Sequence, residues 1–123
     1  MKKILLIDDD ETFLKTVNDF LSSEGYNIIV AKDGSKGLEV VEKESPDLIL
    51  LDLLMPNSGG MDFLKILHED ERLSKIPILI LTNLTSMNLV DEGLKFGARG
   101  YIVKSNESLK TIKSSIESVI GNT

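Results

Sequence analysis

The 123-residue chain contains no cysteine and one histidine, His68. The first absence excludes disulfides, thiolate metal centres, a cysteine nucleophile and thiol redox switching. The second excludes multi-histidine metal sites. Basic charge is also short, with 14 Lys+Arg against 20 Asp+Glu and a net charge of −6. The deficit sits in the first half: residues 1–61 hold 12 acidic and 6 basic side chains, residues 62–123 hold 8 of each. Phosphate contacts need clustered cations, so neither nucleic acid nor an anionic membrane is an expected partner. No apolar run approaches the ~20 residues of a membrane span. Lys2 and Lys3 precede only four apolar residues before three aspartates, which is not the pattern of a signal peptide. A soluble, cytoplasmic protein is expected.

What is present reads as an ordinary globular domain, 41% hydrophobic and 28% charged. One domain over 1–123 is expected, long enough to bury roughly two-thirds of the surface its unfolded chain exposes. Five short apolar runs recur, at Ile4–Ile7, Ile28–Ala31, Leu48–Leu51, Ile78–Leu81 and Tyr101–Val103. The first, third and fourth are continuously apolar, as in parallel strands buried on both faces. The second and fifth are shorter or mixed, which suits strands nearer a sheet edge.

Stretches of helical period lie between them. Phe13, Leu14, Val17, Phe20 and Leu21 form one stripe, with Gly25 as its stop. Leu38 and Val41 mark a helix between Asp33 and Ser45, and Phe63, Leu64 and Leu67 mark a third after the Pro56–Gly60 loop. Val90 and Leu94 mark a fourth that ends at Gly97 and contains Gly93, at a cost of ~1 kcal/mol relative to Ala. Leu109, Ile112, Ile116, Val119 and Ile120 mark the last. Strict β-α alternation predicts an α/β fold: a parallel sheet with right-handed crossovers and helices on both faces.

In such sheets ligands bind at the carboxyl ends of the strands. Four apolar runs end in polar groups: Asp8-Asp9-Asp10, Asp52, Thr82 and Lys104. Crowded carboxylates repel, which raises their proton affinity unless a cation intervenes. A hard, oxygen-liganded ion such as Mg²⁺ suits the set, and could also recruit a phosphoryl oxygen. Lys104 offers fixed positive charge and Thr82 a hydrogen-bond donor for the remaining phosphoryl oxygens. With cysteine absent and His68 within the third helix, the nucleophile is expected to be a carboxylate, giving an aspartyl phosphate.

The segments IDDD (7–10), LLDLLMP (50–56), LTN (81–83) and GYIVK (100–104), in this order and spacing, resemble the receiver domain of two-component response regulators. The likeness is to the single-domain chemotaxis type and covers the whole chain. It implies a doubly wound, flavodoxin-like sheet of strand order 2-1-3-4-5 flanked by five helices. It implies Asp52 as phosphoacceptor, Asp9 as a direct Mg²⁺ ligand, Asp8 acting on the metal through water, and the Leu54 backbone carbonyl as a further ligand. Lys104 would pair with the phosphoryl group, Thr82 would be the switch hydroxyl, and Tyr101 the aromatic that follows it. The implied phosphodonor is a histidine kinase or a histidine phosphotransfer protein. Unless the chain is a piece of a longer regulator, output is expected through a partner protein and the face made by the fourth helix, fifth strand and fifth helix.

Several positions depart from the family pattern. Ser105 replaces the usual proline after the lysine, Asn83 a small residue after Thr82, and Gly59 a frequent aspartate. Leu54 and Leu84, two residues beyond Asp52 and Thr82, are both apolar, from which slow hydrolysis of the aspartyl phosphate is expected. Other readings stay open. Asp10 is expected to cap a helix, and Asp8 and Asp9 could be a solvated helix start. Lys104 could be a solvated edge charge, Tyr101 a core residue, and His68 a surface helix residue; Met55, Met61 and Met87 are core residues by default. The run Asp8-x-Asp10-x-Thr12 also matches the D-x-D-x-T of haloacid dehalogenase-type phosphatases, with Asp8 as nucleophile, but no acidic pair follows Lys104. A pseudo-receiver that signals by contacts alone, without phosphorylation, is the third reading.

Overall fold

The computed structural model of the chain describes residues 1–55, 59–83, 87–104 and 108–121. The elements alternate without exception: β1 (Lys3–Ile7), α1 (Glu11–Ser23), β2 (Asn27–Ala31), α2 (Gly34–Glu44), β3 (Leu48–Asp52), α3 (Gly60–Glu69), β4 (Ile78–Thr82), α4 (Met87–Lys95), β5 (Gly100–Val103) and α5 (Leu109–Ile120). A short 3-10 turn at Leu73–Lys75 precedes β4. All strand pairs are parallel, in the order β2-β1-β3-β4-β5. The three continuously apolar strands are central, and the two mixed ones are the edges. Central strands have helices on both faces, so they cannot alternate apolar with polar residues.

Odd and even positions of each strand feed two separate cores. Leu5, Ile7, Ile49, Leu51 and Ile80 pack with the buried residues of α2, α3 and α4. Ile4, Leu6, Leu50, Leu81 and Ile102 pack with Leu14, Val17, Leu21, Ile112 and Ile116 of α1 and α5. The helix starts follow from local chemistry. Asp10, Asp33 and Ser108 each accept a hydrogen bond from the backbone N–H three residues on, which satisfies a donor the helix leaves unpaired. Gly25 and Gly97 hold φ of 96° and 95° where α1 and α4 have ended, conformations that cost a side chain.

Gly93 is less a weakness of α4 than a condition of its packing. A Cβ there would stand 2.5 Å from Ile80 Cδ1 and 3.1 Å from Leu53 Cδ1, side-chain ends that would have to turn aside, so glycine lets the helix approach β4 this closely without repacking. One expectation about an apolar residue fails on the same helix: Met87 is 37% exposed rather than core. Leu94 lies in the helix it marks and is 40% exposed. α4 is nine residues long and buries only Val90 and Gly93. Met55 is buried, Met61 packs against the core from its edge, and His68 is exposed on α3 with Phe96 edge-on to it.

Candidate functional site

Strand register brings the polar residues together. Ile7 pairs with Leu51, so Asp8 and Asp52, one residue further on, end adjacent central strands. Asp52 pairs with Leu81 and Thr82 with Val103, so each strand beyond β3 steps one residue outward before its polar group, Thr82 and then Lys104. Backbone bonds hold this edge: Asp8 N–H donates to the Ala31 carbonyl at 3.1 Å and Lys104 N–H to the Thr82 carbonyl at 2.7 Å.

Asp8 is wholly buried. Its Oδ1 accepts from Asp10 N–H at 3.0 Å and its Oδ2 accepts from Lys104 Nζ at 2.7 Å. Asp52 is 5% exposed, and its Oδ1 accepts from Leu54 N–H at 2.9 Å. Its Oδ2 lies 3.7 Å from Lys104 Nζ. Asp9 is exposed, and one carboxylate oxygen each from Asp8, Asp9 and Asp52 falls within 4.8 Å of the others. Among the described residues, only Lys104 pairs with these carboxylates.

The electrostatics follow. Burial first, and the charge of Asp8 second, push the Asp52 carboxyl up to about 6, against the pull of Leu54 N–H and Lys104. Crowding of acids alone is therefore the smaller part of its raised proton affinity. For Lys104 burial disfavours the charge, but the hydrogen bond and charge of Asp8, with the charges of Asp52 and Asp10, raise its pKa. Three hard oxygen donors, one of them costly to ionise, suit a small divalent cation such as Mg²⁺. The donor set fits that ion.

The remaining residues divide. Thr82 is 2% exposed and its hydroxyl donates to the Asn83 carbonyl at 2.9 Å. Leu54 contributes its N–H to Asp52 while its side chain is 45% exposed. Tyr101 is not a core residue; it is 46% exposed. Lys104 is no solvated edge charge, since its side chain is 20% exposed and ion-paired. Asp10 caps α1, its side chain accepting from Phe13 N–H at 3.1 Å, which is the role expected of it. Leu84 and Ser105, and with them the expectations about water access and the peptide after Lys104, lie outside the described residues.

Phe13 was legible only as the first member of an apolar stripe. Its ring lies under Lys104, with Nζ 4.4 Å from the ring centroid. The available signal was its place in the first turn of a helix that starts just past the β1 end. Gly60 is a second such neighbour, since a Cβ there would stand 2.7 Å from the Asp52 carbonyl oxygen.

The family described as response regulator receiver domain matches residues 4–117. The chain is 39% identical over 104 residues to the transcriptional regulatory protein CpxR of Escherichia coli, covering 85% of this chain and 43% of that protein. It is 40% identical over 102 residues to the transcriptional regulatory protein YcbL of Bacillus subtilis, covering 81% and 43%. The chain thus spans less than half the length of these relatives. Among solved structures, the chemotaxis response regulator CheY4 of Vibrio cholerae superposes with a TM-score of 0.87 at 32% identity, covering 97% of this chain and 98% of that one.

Proposed function

The chain belongs to the response regulator receiver domain family, and from that premise we infer that it is a phosphorylation-dependent signalling switch with Asp52 as phosphoacceptor. One observation carries the reading: a buried carboxylate, Asp52, stands beside two further acids and within 3.7 Å of an ammonium held at the same sheet edge.

In this reading an Asp52 oxygen attacks the phosphorus of a phosphohistidine on a histidine kinase or histidine phosphotransfer protein. A P–O bond forms, the P–N bond breaks, and the departing imidazole nitrogen is protonated. Lys104 moves its ammonium toward the new phosphoryl oxygens, a short shift from its present place beside Asp8. Asp9, Asp52 and the Leu54 carbonyl would hold Mg²⁺ directly and Asp8 through water. When bound, the ion supplies charge neutralisation and recruits a phosphoryl oxygen. Asp52 drives its own phosphorylation with these groups, so the protein signals rather than turning over an external substrate.

Thr82 is the switch hydroxyl. Its proton leaves the Asn83 carbonyl for a phosphoryl oxygen, the space it vacates admits Tyr101 from its exposed position, and the α4-β5-α5 face changes shape for a partner protein. This is a two-state element biased by a local charge. Among the described residues no helix is long and apolar enough to cross a membrane, which is compatible with action in the cytoplasm on protein partners.

The test is incubation with acetyl phosphate and Mg²⁺ followed by peptide mapping. Label on Asp52, lost in Asp52→Asn, is expected. Label on Asp8 would support the phosphatase-type reading, and no label at all would overturn phosphorylation in favour of a pseudo-receiver.

A further inference from the structure

The contacts around Lys104 form a closed circuit. Asp8 accepts from Asp10 N–H at 3.0 Å, Asp10 accepts from Phe13 N–H at 3.1 Å, the Phe13 ring lies 4.4 Å from Lys104 Nζ, and Nζ returns to Asp8 at 2.7 Å. The cap that starts α1 therefore also fixes where the Phe13 backbone stands relative to the acids. We propose that Phe13 is a positioning residue for Lys104: its ring face holds the ammonium at the carboxylate edge and keeps water off it, without consuming a hydrogen-bond donor.

The physical case rests on what an ammonium can do. Lys104 ends a flexible four-carbon stem and has three N–H donors and no acceptor. One donor is committed to Asp8, and a second oxygen, Asp52 Oδ2, lies 3.7 Å away. A water on the remaining side would take a donor and draw the chain outward. An aromatic face attracts the cation through its quadrupole and offers no lone pair, so the donors stay available for oxygens. That attraction reaches about 6 Å from the ring centroid, which leaves room for a group that must move from Asp8 toward Asp52. Leucine could exclude the same water but would not attract the charge.

This inference rests on the phosphoacceptor reading, and its experiment separates the two. Phe13→Leu, Phe13→Tyr and the wild type are compared for the rate of Asp52 labelling over a range of acetyl phosphate concentrations. The Lys104 ε-methylene proton shift, read by NMR without Mg²⁺, is the second measurement. Phe13→Leu is expected to label about three- to tenfold more slowly at saturating donor, the range of one partly desolvated cation–π contact, while Phe13→Tyr labels like the wild type. The ring-current shift of Lys104 should vanish in Phe13→Leu and persist in Phe13→Tyr. Equal rates in Phe13→Leu and the wild type, or equal slowing in both variants, would overturn the positioning role. If the wild type takes no label, the phosphoacceptor reading falls, and the Lys104 shift alone then decides whether the ring holds the ammonium.

Discussion

Lys104 Nζ sits a full ångström closer to Asp8 than to Asp52, at 2.7 Å against 3.7 Å, although both acids end adjacent central strands. The ammonium thus neutralises the wholly buried carboxylate and leaves the other only partly compensated. Burial first and the Asp8 charge second raise the Asp52 pKa, and Lys104, held at Asp8, offsets that only in part, so the Asp52 oxygens stand where a cation or a phosphoryl group would be welcome.

Removing the Asp8 charge should redistribute the site. In Asp8→Asn the repulsion on Asp52 is gone and Lys104 is free to approach it, so the Asp52 pKa falls below its present value near 6. Burial, the larger cause, remains, so the fall is partial. Carboxyl ¹³C NMR titration of Asp52 measures it, and an unchanged midpoint would show that Asp8 is electrostatically irrelevant.

Stability should carry the signature of the same group. A carboxyl titrates near 4 in an unfolded chain and Asp52 near 6 in the folded one, so between these values the native state binds more protons. In the absence of divalent ions the contribution of Asp52 to unfolding free energy therefore falls as pH rises from about 4 to about 6, then levels. Urea titrations of the wild type and Asp52→Asn isolate it: the difference between their stabilities should change over that window and be flat at neutral pH.

Divalent binding should reverse the cost of the acids. Mg²⁺ at ten times its dissociation constant stabilises by about 1.4 kcal/mol through linkage, a few degrees in melting temperature for a domain of this size. Asp9→Ala should abolish the shift. The gain should also shrink below pH 6, where protons compete for Asp52. A wild-type melting curve indifferent to Mg²⁺ would count against the metal site.

Gly60→Ala tests the support beneath Asp52. Its Cβ would meet the Asp52 carbonyl oxygen at 2.7 Å and Leu53 Cα at 3.2 Å, both backbone atoms that have no rotamer with which to yield. A loss of about 1–3 kcal/mol is expected by urea unfolding, together with slower labelling because Asp52 itself is displaced. Wild-type stability would mean that the start of α3 can shift freely.

The amino-acid sequence by itself determined the architecture. Three runs of four apolar residues, too short for helices and set between helical stripes, read as strands buried on both faces, and two mixed runs were left for the edges. Alternation with helical stripes then requires parallel pairing with crossovers on both sides. The acids, hydroxyl and lysine at the strand ends followed as neighbours, because parallel strands put all their carboxyl ends at one edge. Asp10 as a cap was equally local, since a cap needs only its own next three residues.

Tertiary structure decided everything that depends on which atoms meet across elements. Strand period says that Asp8 and Asp52 share an edge; only the register aligns them, and only the lysine rotamer chooses Asp8 over Asp52. Phe13 looked like any apolar residue of α1, and Gly93 like a flaw in α4, because partners distant in the chain leave no mark on local pattern. Met87 and Leu94 kept helical spacing yet face solvent, since a short helix at the flank of a sheet buries a narrower face than its hydrophobic period suggests. The bonded carboxylate at 2.7 Å and the merely nearby one at 3.7 Å both end adjacent strands, and no periodicity encodes the difference.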